Sequence, residues 1–199
     1  MERRFISDPV VVEKRDNGSR IVGYAAVFYR AGDPGTEFRM PNGITERIMP
    51  TAFNERGDVR ALFNHDPSHL LGRLTAGTLK LSVDQRGLKY EIDMPDTSTG
   101  RDVSASIQRG DLTGSSFGFV VRKGGQRFAT QDRNEIRELN NVELLDVGPV
   151  TFPAYDGSSV GMRSDGETKE FEQAITEWRR EREAVAVRLR LLTLDEQMI

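Results

Sequence analysis

The run Gly110-Asp111-Leu112-Thr113-Gly114-Ser115-Ser116-Phe117-Gly118-Phe119-Val120-Val121 constrains the fold more than any other part of this chain. Ser116 stands between two glycines, and the β-branched and aromatic residues Phe117 to Val121 that follow it read as a strand. The stretch Gly114-Ser115-Ser116-Phe117-Gly118 spells G-x-S-x-G, the nucleophile elbow of α/β-hydrolases. That motif needs a helix after the serine and a histidine later in the chain. Here a strand follows, and the chain's two histidines, His65 and His69, both come earlier. The elbow reading fails on context and on order. A serine nucleophile still needs an imidazole to take its proton, so His65 and Ser116 form the candidate pair.

Strand and turn signals fill most of the first 163 residues. Val10-Val11-Val12 and Ile21 to Phe28 flank Asn17-Gly18, a hairpin signal. Leu79 to Val83 alternates, turns through Asp84 to Gly87, and returns as Leu88 to Asp93. Ile136 to Leu139 and Leu144 to Val147 are two further strands. Short helices are expected over Pro50 to Arg56, stopping at Gly57, and over Thr99 to Arg109, with Gly110 as the stop. The expected class is α+β, mainly β: an antiparallel, partly closed β-barrel with a few helices and a C-terminal helical tail.

The chain divides by composition into a body over 1–163 and a tail over 164–199. From Asp165 to Glu183, 11 of 19 residues are charged. Phe171, Ile175, Trp178, Val185, Leu189 and Leu192 follow a heptad-like stripe broken at Arg182, as in an amphipathic helix. Such a helix packs on the body or on a second copy, or docks to a larger assembly, or serves as a self-cleavage segment. The net charge of -3 and the lack of a basic patch give no case for nucleic-acid binding. No cysteine is present, which removes disulfides, thiol catalysis and Cys-ligated zinc. No apolar run is long enough for a membrane span, and Met1 to Phe5 lacks the apolar core of a signal peptide, so a cytoplasmic location is expected.

Strand alternation sets Ser115, Phe117, Phe119 and Val121 on a core face and Ser116, Gly118 and Val120 on the other. Ser116 thus points away from the aromatic residues, beside a glycine expected to leave room for substrate. A bulge would exchange it with Ser115. His65 follows the apolar approach Ala61-Leu62-Phe63-Asn64 and precedes Pro67, as at the end of a strand. His65 and His69 are four residues apart, but Pro67 interrupts the helix a metal pair needs and no H-E-x-x-H glutamate is present. Asp146, in the apolar stretch Leu144 to Gly148, is a carboxylate that needs a partner if it is buried. It is the candidate third residue, with Asp66 and Glu143 as alternatives. No metal and no cofactor are expected.

Taken together, Gly23 to Phe28, Glu46 to Phe53, Phe63-Asn64-His65-Asp66, Leu71-Gly72-Arg73, Gly110 to Phe119 and Val150 to Tyr155 resemble the phage prohead (capsid maturation) proteases of the HK97 type. The resemblance implies the fold of the herpesvirus assembly proteases and a serine endopeptidase with His65, Ser116 and Asp146 as catalytic residues. Asp146 stands where the family more often shows glutamate. The resemblance further implies action in the host cytoplasm, inside the assembling procapsid. The implied substrates are the scaffolding segment of the major capsid protein and the enzyme itself, which is also a candidate dimer partner. A non-catalytic internal scaffold with a protease-like domain is the alternative from another class.

Overall fold

The computed structural model describes residues 1–16, 18–40, 42–54, 57–152 and 165–196. Among the described residues there are thirteen strands and two α-helices. β1 (Glu2–Ile6) comes first, followed by the hairpin of β2 (Val11–Arg15) and β3 (Gly18–Val27), in which Arg15 faces Gly18. Asn17, the other residue of the hairpin signal, lies outside the described residues. The short strands β4 (Glu37–Arg39), β5 (Thr45–Ile48), β6 (Arg60–Leu62) and β7 (Leu70–Arg73) come next. β8 (Leu79–Val83) and β9 (Gly87–Asp93) form the second hairpin, where Asp84 accepts from the backbone N–H groups of Arg86 and Gly87. After helix α1 (Ser98–Arg109) come β10 (Gly114–Val121), β11 (Gln126–Gln131), β12 (Asn134–Leu139) and β13 (Val142–Val150).

The two body helices follow from local chemistry. Thr97 caps α1 by accepting from the Gly100 N–H, and Gly110 closes it in the left-handed conformation at φ 82°. Val103 and Ile107, one turn apart, are its buried face. The expected helix at Pro50 is a single 3₁₀ turn over Pro50–Phe53, capped by Asn54. Glu55 and Arg56, the end of the expected span, lie outside the described residues.

The strands form three open sheets, ordered β1-β10-β13-β6-β7, β11-β12-β5-β4 and β2-β3-β9-β8. Among the described residues no sheet closes on itself, so the expected partly closed barrel gives way to three open sheets. Nor is the pairing wholly antiparallel: β13 runs parallel to β6, and β12 parallel to β5. Alternation marks a strand but carries no information on its partner or direction. β13 instead shows the near-continuous burial of a central strand.

The core is aromatic where β10 meets its neighbours. Phe117 and Phe119 are fully buried and stacked with centroids 5.0 Å apart, and Phe53 meets Phe117 edge-on at 5.4 Å. A buried ionic cluster ties β1 to β5 and β12. Arg4 donates to Glu46 and to Glu2 (2.5 Å), and Arg137 donates to Glu46 and to Glu2 (2.7 Å each). Two cations and two anions balance there, which is the condition under which buried charge is tolerated.

The chain forms two compact units, Met1–Met162 and Arg163–Ile199. The second contains helix α2 (Asp165–Glu196), on which the Arg182 guanidinium lies 4.7 Å over the Trp178 ring one turn away. Val185, Val187 and Leu189 are exposed on it. The side chain of Leu192, the last residue of the expected stripe, lies outside the described residues. Among the described residues no helix is long and apolar enough to cross a membrane.

Burial alone would push the Glu2 carboxyl up. The bond from Arg137 and the charges of Arg4 and Arg137 outweigh it and hold the group at about 2, against an ordinary 4.5. The ionised form is therefore favoured by folding, so this stabilisation is complete above the ordinary value and is lost as pH falls towards 2. Glu2→Gln should lower stability at neutral pH and flatten the decline between pH 4.5 and 2. Urea titrations across that range measure both effects.

Candidate active site

The centre of the first sheet brings together three residues that are far apart in sequence. β13 lies between β10 and β6, with Ser116 opposite Gly148 and Gly118 opposite Asp146 on the β10 side. On the other side Asp146 pairs with Arg60 of β6, and the chain leaving β6 turns back so that His65 reaches over β13. His65 Nε2 lies 2.5 Å from Ser116 Oγ, and Nδ1 contacts Asp146 Oδ1. A carboxylate only accepts, so Nδ1 carries the proton and Nε2 presents its lone pair to the serine hydroxyl. This bond also meets the need of Asp146 for a partner, since that side chain is buried.

Ser115 points the other way. Its hydroxyl bonds the Tyr90 hydroxyl at 2.8 Å in the core, where burial pushes the Tyr90 phenol well above its ordinary range. The alternation along β10 thus holds through the two serines. The irregularity between Gly118 and Phe119 places one extra residue on β13 and leaves the phase of Ser115 and Ser116 intact.

Two expectations need correction. Gly118 does not leave room for substrate: a Cβ there would lie 2.5 Å from Asp146 Oδ2, so the missing side chain makes room for the carboxylate. His65 is not on a strand end but in the turn after β6, where Asn64 and His65 adopt φ of 54° and 58°. Left-handed backbone is unfavourable for most side chains and tolerated best by asparagine. The turn is fastened by Asn64. Its Oδ1 accepts from the Thr151 N–H at 2.8 Å, its Nδ2 donates to Thr151 Oγ1 at 2.9 Å, and its own N–H donates to the Pro149 carbonyl. Sequence reasoning missed this clamp; the signal for it is an asparagine just before a histidine in a Pro-terminated turn.

The alternatives for the third position lie elsewhere. Asp66 accepts from the Ser68 hydroxyl and N–H, and Glu143 is exposed on β13. His69 is half-exposed beside Asp66 and Phe63 and has no contact with Ser116 or Asp146. Among the described residues no group of three or more His, Cys, Asp or Glu side chains is placed to hold a metal ion.

A buried serine, imidazole and carboxylate in one hydrogen-bonded row can pass a proton from the hydroxyl to the ring while the carboxylate stabilises the imidazolium. Against known proteins, residues 8–173 match the family described as Caudovirus prohead serine protease. The chain belongs to the caudovirus prohead serine protease family. It is 26% identical over 167 residues to the prohead protease of Enterobacteria phage HK97, an alignment covering 80% of this chain and 66% of that protein. The chain thus spans just under two thirds of that relative's length. No solved structure matches it. Pro153, Ala154 and Tyr155, which contribute to the resemblance in sequence, lie outside the described residues.

Asn64→Ala should destabilise the body by about 1–2 kcal/mol, through a methyl group at positive φ and the loss of both side-chain bonds to Thr151. Asn64→Gly relieves the backbone and loses only the bonds, so it should cost less. Urea unfolding of the three proteins should give that order.

Proposed function

We propose that this chain is the serine endopeptidase of procapsid maturation, with Ser116 as nucleophile, His65 as general base and acid, and Asp146 as the group that orients and balances the imidazole. The observation that carries the reading is the continuous row from Asp146 through both His65 nitrogens to Ser116 Oγ, in a chain that belongs to a family of prohead serine proteases.

The chemistry follows from these atoms. His65 Nε2 takes the Ser116 proton as Oγ attacks the peptide carbonyl, and the Nδ1–H bond to Asp146 steadies the positive ring. The same proton then goes to the leaving amine. Water, deprotonated by His65, hydrolyses the acyl-enzyme and restores Ser116. Asp146 reaches the ring only because residue 118 has no side chain, so the shorter acid in place of the family's more frequent glutamate fits the close approach of β10 and β13.

In this reading the enzyme works inside the assembling procapsid, and its substrates are the scaffolding segment of the major capsid protein and its own chain. The body through Met162 is the catalytic domain. The exposed Val185, Val187 and Leu189 on α2 suit a segment that docks to an assembly partner or to a second copy. The relation in fold to the herpesvirus assembly proteases belongs to the same proposal.

Co-expression with the coat protein of the same phage tests it. Wild-type chain should shorten the coat protein, and Ser116→Ala and His65→Ala should leave it full length, with rate losses of several orders of magnitude. Ser115→Ala should retain cleavage. Undiminished cleavage by Ser116→Ala would overturn the assignment, and an uncut coat protein with folded wild-type chain would favour the internal-scaffold alternative.

Gly118→Ala should act on the same row from a distance. The new Cβ would meet Asp146 Oδ2 at 2.5 Å and force the carboxylate off the His65 ring. The kcat for a peptide substrate should fall towards that of Asp146→Asn while Ser116 and His65 remain unchanged. Full activity in Gly118→Ala would show that the Asp146 contact is dispensable.

A further inference from the structure

Ser116 has no exposed surface, and His65 and Asp146 are 8% and 5% exposed. No peptide bond can reach such a nucleophile, so the arrangement seen is a closed one, and what closes it is β1. The strand lies antiparallel along the edge of β10, with Phe5 opposite Ser116 and Arg3 opposite Gly118. Each of the three residues in the row is covered by a different part of the same segment. Arg4 carbonyl accepts from the Ser116 hydroxyl at 2.9 Å, and the Phe5 ring meets the His65 ring edge-on at 5.9 Å. Met1 Sδ lies 3.2 Å from where a Cβ on Gly118 would be, beside the Asp146 carboxylate. The serine has one proton, and the Arg4 carbonyl competes for it with His65 Nε2, which lies 2.5 Å away.

We propose, resting on the protease reading above, that β1 holds the place of the substrate: an extended peptide pairs with the β10 edge once β1 leaves it, and the enzyme is self-inhibited until then. β1 has the form of a bound peptide. It is an extended segment on a sheet edge, with main-chain hydrogen bonds to its host strand and a carbonyl at the nucleophile, as in recognition by strand addition. The residues that match the protease family begin at residue 8, after β1 ends at Ile6.

The buried ionic cluster does not forbid this exchange. Glu2 and Arg4 leave together as a pair bonded at 2.5 Å, and Glu46 and Arg137 remain together bonded at 2.7 Å. Opening therefore divides the cluster into two neutral pairs and leaves no lone buried charge, the costly outcome for such groups. The cluster instead makes the closed state the resting state. An incoming strand recovers the main-chain bonds that β1 gives up.

The test is the rate at which a fluorophosphonate labels Ser116 in the full chain, read by peptide mass. Phe5→Pro removes an N–H from β1 and disfavours its pairing. Labelling should rise at least tenfold over wild type, and an excess of a synthetic peptide of residues 1–7 should reverse the gain. Equal or slower labelling of Phe5→Pro, with an unchanged circular dichroism spectrum, would overturn the proposal and make β1 a fixed wall of the site. Should that variant not fold, wild-type chain decides by amide exchange after reaction with a peptidyl phosphonate. Residues 2–6 should lose protection on labelling, and unchanged protection would overturn the proposal. Absence of any adduct on Ser116 in every chain, including Phe5→Pro, would instead count against the protease reading itself.

Discussion

The arrangement depends on one buried contact, the bond between the His65 ring and the Asp146 carboxylate. Without it, β13 would carry an unpaired carboxylate in its buried middle, and the His65 ring would lose the bond that fixes its Nδ1 side. Several local oddities of the sequence serve that contact. Gly118 makes space for the carboxylate, Asn64 and His65 take left-handed backbone to bring the ring over, and Asn64 ties the turn to Thr151 just beyond β13. Each is unfavourable or uninformative by itself and makes sense only around the ring.

The same contact explains the order of strands. β13 at the centre of its sheet presents Asp146, β10 on one side presents Ser116, and the chain leaving β6 on the other presents His65. The parallel pairing of β6 with β13 is thus tied to the geometry of the proposed site. It lets the end of β6 deliver a turn near the Gly148–Thr151 segment, where the Asn64 N–H finds the Pro149 carbonyl. The ionic cluster does comparable work for β1, fixing it over the site through residues on its opposite face.

What could be read from the sequence was local. The phase of β10, with Phe117 and Phe119 inward and Ser116 on the other face from Ser115, follows from alternation alone, and Gly110 marks the end of α1. The meeting of His65 with Ser116 and Asp146, 51 and 81 residues away, came from chain order and family resemblance and not from spacing. The open, mixed sheets were not legible, because strand periodicity is the same for either direction of pairing. Nor was the covering by β1: Glu2 to Ile6 is too short and too charged to advertise a partner, and its place on the β10 edge depends on contacts with Glu46 and Arg137 far along the chain.

The most direct test of the row is proton NMR of the chain with ¹⁵N-labelled histidine, in which His69→Gln leaves a single imidazole to observe. The Nδ1 proton of His65 should resonate far downfield, protected from solvent exchange by its bond to Asp146, and should lose that shift in Asp146→Asn. A His65 ring protonated only on Nε2, or a downfield Nδ1 proton unchanged in Asp146→Asn, would contradict the arrangement from which the mechanism is derived.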